Sequence, residues 1–122
     1  MFVLDTNIVI AYFAEEKKVV DALETALADR EPIILPTIVK AETLSYPLID
    51  EMTLTRMRGW FENAELASLD GQIAEQAAEI RRTTGLKLID SIIAATAFAL
   101  SAKLISRDQD FKRVPGIEMI TW

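Results

Sequence analysis

Short apolar runs of three or four residues, each followed by a longer segment with helical periodicity, constrain this chain more than any other feature. Phe2-Val3-Leu4 and Ile33-Ile34-Leu35 are apolar without alternation, the pattern of strands buried on both faces. Lys103-Leu104-Ile105-Ser106 and Ile117-Glu118-Met119-Ile120 are further strand candidates, and Glu65 to Leu69 is a weaker one. Between them, Thr6 to Phe13 and Lys17 to Ala28 carry apolar residues at helical spacing. A helix through Ile38, Val39, Ala41 and Leu44 is predicted between Pro36, in its first turn, and Pro47, which stops it. Further helices are expected over about 54–63, with Met57, Trp60 and Phe61 inward, and from an Asp70 cap to Thr83 or Thr84, with Gly85 closing the end. Asp90 to Leu100 is apolar nearly all round and reads as a buried helix opened by Asp90. Strands alternating with helices give an α/β layered fold with a mainly parallel sheet, and 122 residues suit one domain, 1–122.

In such a fold, sites form outside the carboxyl ends of the strands. That rule singles out acids. Asp5 directly follows the first strand, and Asp108 and Asp110 follow the fourth. Glu42 lies in the helix after the second strand, and Asp90 lies beside Ile89 and Ile92-Ile93. Each has an ordinary reading: Asp5 or Asp90 as a helix cap, Glu42 as a solvated residue or a partner of Lys40, Asp110 as a turn residue, and Arg107 as a partner of Asp108 or Asp110. Converging on one sheet edge, they become a different problem. Two carboxylates about 4 Å apart repel by roughly 4 kcal/mol at an effective dielectric near 20. Several such groups need a cation or bound protons.

Which cation follows from what is missing. The chain has no His and no Cys, so imidazole and thiolate ligands, Ser-His-Asp triads and disulfides are all excluded. Oxygen-only donors select a hard ion, Mg²⁺ with Mn²⁺ as a substitute, over Zn²⁺. The net charge of −6 runs against a nucleic-acid partner unless bound cations reverse the sign locally. It also suits a protein partner with a basic segment. No run is apolar enough to span a bilayer and no leader-like segment opens the chain, so a cytoplasmic location is expected.

Four segments together resemble the PIN domain family, in particular its small VapC-like toxin ribonucleases: Leu4-Asp5-Thr6-Asn7, Ala41-Glu42, Lys87 to Ala97, and Ser106-Arg107-Asp108-Gln109-Asp110-Phe111. Asp-Thr-Asn alone is a weak signal. The ordered set at these separations is a strong one, and it covers the whole chain. The resemblance implies a three-layer α/β/α sandwich and a metal-dependent endoribonuclease. It carries over Asp5, Glu42, Asp90 and Asp108 as catalytic metal ligands. Family members differ on whether the fourth acid stands at the Asp108 or the Asp110 position, and this chain has Asp at both. Asn7 matches a position that supports the first Asp, Ser106 matches a Thr or Ser beside the site, and Thr6 adjoins them. The resemblance further implies an RNA substrate, a homodimer, and a cognate antitoxin that inserts into the acidic groove. Two alternatives share these acids: a Mg²⁺-binding phosphoryl-transfer domain, and a catalytically silent PIN domain that only binds RNA or a partner.

Overall fold

A computed structural model describes residues 1–122. In chain order the elements are β1 (Phe2–Leu4), α1 (Thr6–Phe13), α2 (Lys17–Ala28), β2 (Ile33–Pro36), α3 (Thr37–Leu44), α4 (Glu51–Glu62), β3 (Glu65–Ala67), α5 (Gly71–Thr84), α6 (Leu88–Ala99), β4 (Lys103–Ile105), a 3-10 turn (Gln109–Arg113) and β5 (Met119–Ile120). The strands form one sheet in the order β3-β2-β1-β4-β5, with every neighbouring pair parallel. Helices cover it as an α/β/α sandwich.

The order places a topological switch beside β1. The chain steps outward from β1 to β2 and β3, then returns to lay β4 on the other side of β1 and continues to β5. The crevice at such a reversal, beyond the carboxyl ends, is where parallel sheets bind ligands. Phe2, Val3 and Leu4 pair with Lys103, Leu104 and Ile105, and the Asp5 N–H extends the ladder to the Ile105 carbonyl at 3.0 Å. Residues a hundred positions apart in sequence therefore leave the sheet side by side.

The core explains why the central strands are apolar where they cross it. Val3, Leu4, Ile34, Leu35, Leu104 and Ile105 are all buried. Full burial of one such side chain is worth roughly 1.5–3 kcal/mol. α6 is buried from Ser91 to Ala97, and its alanines let it lie close to the sheet and α5. α5 starts and stops on sequence signals. Asp70 Oδ1 accepts from the Ile73 N–H at 2.8 Å, and Gly85 closes the helix with φ of 72°.

Some boundaries differ from the sequence reading, each for a local reason. α6 begins at Leu88 with Lys87 in the cap position, so Asp90 is a first-turn residue and not the cap. α4 begins at Glu51 because the Asp50 carboxylate takes the Thr53 N–H at 2.7 Å. Pro36 ends β2 and occupies the cap position of α3, which stops at Leu44, before Pro47. The outer strands are shorter than expected, Glu65–Ala67 and Met119–Ile120. Of the inward set on α4, Met57 and Phe61 are buried, whereas Trp60 is half-buried and stacks on Tyr12 with ring centroids 5.5 Å apart.

Candidate active site

The site grows from the end of β1. Asp5 leaves the strand in an extended conformation that also suits the cap of α1, and its Oδ1 accepts the Thr6 N–H at 2.7 Å. Its Oδ2 accepts from the Ser106 hydroxyl, at the end of β4, at 2.6 Å. Asp5 is only 5% exposed. Burial raises its carboxyl above the ordinary range, the two hydrogen bonds pull it down, and the like charges of Glu42 and Asp108 push it up again. Asp5 thus caps α1 and also stands at the switch of the sheet.

Ser106 is the junction of the network. While donating to Asp5 its oxygen accepts the Asp108 N–H at 3.0 Å and, at a longer 3.4 Å, the Asn7 amide. Asn7 Oδ1 in turn accepts the Arg107 N–H at 3.4 Å. This side-chain lattice ties the end of β4 to the start of α1 and fixes the direction of the loop that carries Asp108. Glu42 reaches the same rim from α3, where its Oε1 accepts from the Thr6 hydroxyl at 2.6 Å. It is half-buried and makes no ion pair with Lys40.

Asp90 approaches from the first turn of α6. It is half-buried and accepts no hydrogen bond from the protein. Desolvation, then the like charges of Asp5, Asp108 and Glu42, drive its carboxyl up to about 6, with Lys87 alone opposing them. The charges of Glu42 and Asp108 thus reach both Asp5 and Asp90, which puts the four acids on one rim.

Asp110 is turned differently. Its N–H donates to Asp108 Oδ1 at 2.9 Å, and its own carboxylate pairs with Arg113 at 3.2 Å on the exposed side of the 3-10 turn. Arg107 pairs with neither acid of its own loop. Its Nη2 donates to Glu16 Oε2 at 2.6 Å and its Nε to the Trp122 carbonyl at 3.2 Å, and this contact holds the Glu16 carboxyl below its usual range. A partner 91 positions away has no local sequence signal.

The donor set fits a hard divalent ion. It is oxygen-only, lies at the switch point, and includes one carboxylate whose proton affinity is raised by burial and then by its acidic neighbours. No three acids crowd closely enough to enclose a cation unaided. The most capacious surface depression, about 1000 Å³ along α5, is no competitor. It reaches Ala99, nine residues along α6 from Asp90 or roughly 14 Å away, and is lined almost wholly by exposed polar side chains.

These features define a class: α/β proteins with a carboxylate rim at the switch of a parallel sheet. Residues 2–117 match the PIN domain family, and the chain belongs to it. PIN domains of the VapC kind are nucleases. No curated protein matches the sequence. Among solved structures, the chain is similar to a component of a toxin–antitoxin complex from Klebsiella pneumoniae, with 28% identity, a TM-score of 0.84, and 99% of this chain and 97% of that one covered. It also resembles a chain of VapBC2 from Rickettsia felis bound to a promoter DNA fragment, at 22% identity and a TM-score of 0.85, covering 99% and 98%. A third similar chain belongs to VapBC-5 from Mycobacterium tuberculosis, at 22% identity and a TM-score of 0.67, covering 98% and 97%.

Proposed function

We propose that this chain is a Mg²⁺-dependent endoribonuclease and the toxin of a toxin–antitoxin pair, with residues 1–122 acting as one nuclease domain. The observation that carries this reading is the rim itself: carboxylates from four separate segments gather at the switch of the parallel sheet, where burial and then their like charges raise Asp90 to about 6. Such a cluster is tolerable when a cation neutralises it. The likeness to toxin–antitoxin complexes supports the toxin role and an antitoxin as protein partner; a homodimer in the cytoplasm completes the proposal. No helix is long and apolar enough to cross a membrane.

In this reading Asp5, Asp90 and Asp108 hold the cation, and Glu42, braced by Thr6, completes or positions the set. Asp108 takes the fourth place over Asp110, because Asp110 is already committed to Arg113. When bound, Mg²⁺ supplies acidification of water and charge compensation on the scissile phosphate. The protein aims Asp5 through Ser106 and the Thr6 N–H, and presents Lys87 beside Asp90 as a contact for a neighbouring phosphate.

Purified protein is expected to cut single-stranded or structured RNA with Mg²⁺ or Mn²⁺ and to stop on chelation, leaving DNA of the same sequence intact. Asp5→Asn is expected to lower the rate by roughly 10²–10³-fold while the circular dichroism spectrum stays folded. Undiminished cleavage by that variant would place the chemistry elsewhere.

A further inference from the structure

A groove leads away from Asp5 along α1, and the carboxylate rim makes no use of it. Its volume is about 330 Å³. Asn7, Ile10, Ala11 and Ala14 recur at spacings of three and four and form its floor on one face of α1. Tyr46, just past the end of α3 and 53% exposed, borders it, and Glu16 closes the far end. The polar groups are unequally available. Asn7 is engaged by Ser106 and the Arg107 N–H, and the Thr6 hydroxyl is engaged by Glu42. Glu16 is held from one side only: Arg107 takes Oε2, and Oε1 has no protein donor.

We propose that this groove seats one unpaired nucleobase of the RNA strand next to the bond cut at Asp5, its face on Tyr46 and its exocyclic amine donating to Glu16. The proposal rests on the ribonuclease reading above and adds a specificity-determining pair, Tyr46 and Glu16, to it. Three observations converge. The groove is continuous with the carboxylate rim through Asp5, so a strand whose phosphate lies at the rim has a neighbouring base within reach. An apolar floor with one exposed aromatic and one fixed acceptor has the chemistry of a base. Arg107 clamps Glu16, so the acceptor is already oriented before the base arrives. At the exocyclic position of a pyrimidine a free acceptor takes the cytosine amine, where uracil presents a carbonyl oxygen that a carboxylate repels.

The test is cleavage kinetics on short single-stranded RNAs that differ at one base, cytosine or uracil, flanking the cut, with Mg²⁺ present. Wild type is expected to prefer the cytosine substrate. Tyr46→Ala is expected to raise KM about tenfold with kcat nearly unchanged, and Tyr46→Phe to restore it, since stacking needs the ring and not the hydroxyl. Glu16→Gln turns an acceptor into a donor and is expected to shift preference toward uracil by about fivefold while total activity persists. If wild type cuts RNA but Tyr46→Ala and Glu16→Gln leave KM and base preference unmoved, the subsite is refuted and the ribonuclease stands; the groove then belongs to a protein partner or to solvent. If wild type cuts no RNA, both readings fall together.

Discussion

Asp5 and Asp90 stand on the same rim and are held in opposite ways. Asp5 is buried, and each of its oxygens takes a short hydrogen bond from a fixed donor. Asp90 is half-buried, has no donor, and faces three like charges with one lysine in opposition. Both carboxyls are raised, by mechanisms that can be separated. At Asp5 desolvation leads and hydrogen bonds restrain it. At Asp90 desolvation leads and neighbouring charge adds to it. One acid is built as a rigid anchor, and the other is left with an electrostatic debt that only a proton or a cation discharges.

That contrast can be broken in graded steps. The largest effect is expected at the loop the anchor supports. Asp108→Asn should reduce RNA cleavage by roughly 10²–10³-fold in a Mg²⁺-dependent assay. Equal activity in the variant would remove Asp108 from the rim's chemistry.

Ser106→Ala strikes the anchor. It removes the donor to Asp5 Oδ2 and the acceptor of the Asp108 N–H, and should cost about 2 kcal/mol in urea denaturation at pH 7. Losing a bond to the charged form raises the Asp5 carboxyl further in the folded state. The loss should therefore be fullest at neutral pH and shrink in acid, as Asp5 protonates. Ser106→Thr keeps a hydroxyl and should recover most of the loss.

Asp90→Asn tests the other side, and its sign is opposite. A carboxyl raised to about 6 in the fold, against an ordinary 3.8, favours folding when protonated, and that advantage drains away as pH rises between those values. In metal-free buffer the Asn variant should match wild type below pH 4. Above pH 6 it should be more stable by about 1 kcal/mol, a figure reduced for the half-exposed side chain. Added Mg²⁺ should raise the melting temperature of wild type more than that of the variant. A variant less stable than wild type at pH 7 without metal would contradict the charge argument.

The smallest effect is expected at Asp110→Asn. Its exposed pair with Arg113 is worth under 1 kcal/mol, and cleavage should change by less than about threefold. A large loss there would exchange the roles of Asp108 and Asp110.

The parts of this molecule readable from sequence are those governed by local rules. Apolar runs announce strands, Asp70 and Gly85 announce the ends of α5, and the switch-point rule gathers acids that no periodicity connects. Less legible were features decided across the fold. The 3-10 turn at Gln109–Arg113 depends on Asp108 Oδ1 taking the Asp110 N–H, a turn signal without helical periodicity. Glu16 and Tyr46 join the site only because α1 packs between the segments that carry them. The early start of α4 was written in Asp50 and Thr53, a cap and its recipient, although the apolar pattern alone suggested a later one.

The pairing of β1 with β4 also has a consequence in time. Asp5 is synthesised 101 positions ahead of the hydroxyl that steadies it, which directly follows the strand that completes the centre of the sheet. Three of the rim's acids precede that point in synthesis, and none of them has its finished surroundings until it is passed. A chain cut short before Ser106 thus carries three of these acids without the partner strand that assembles their edge.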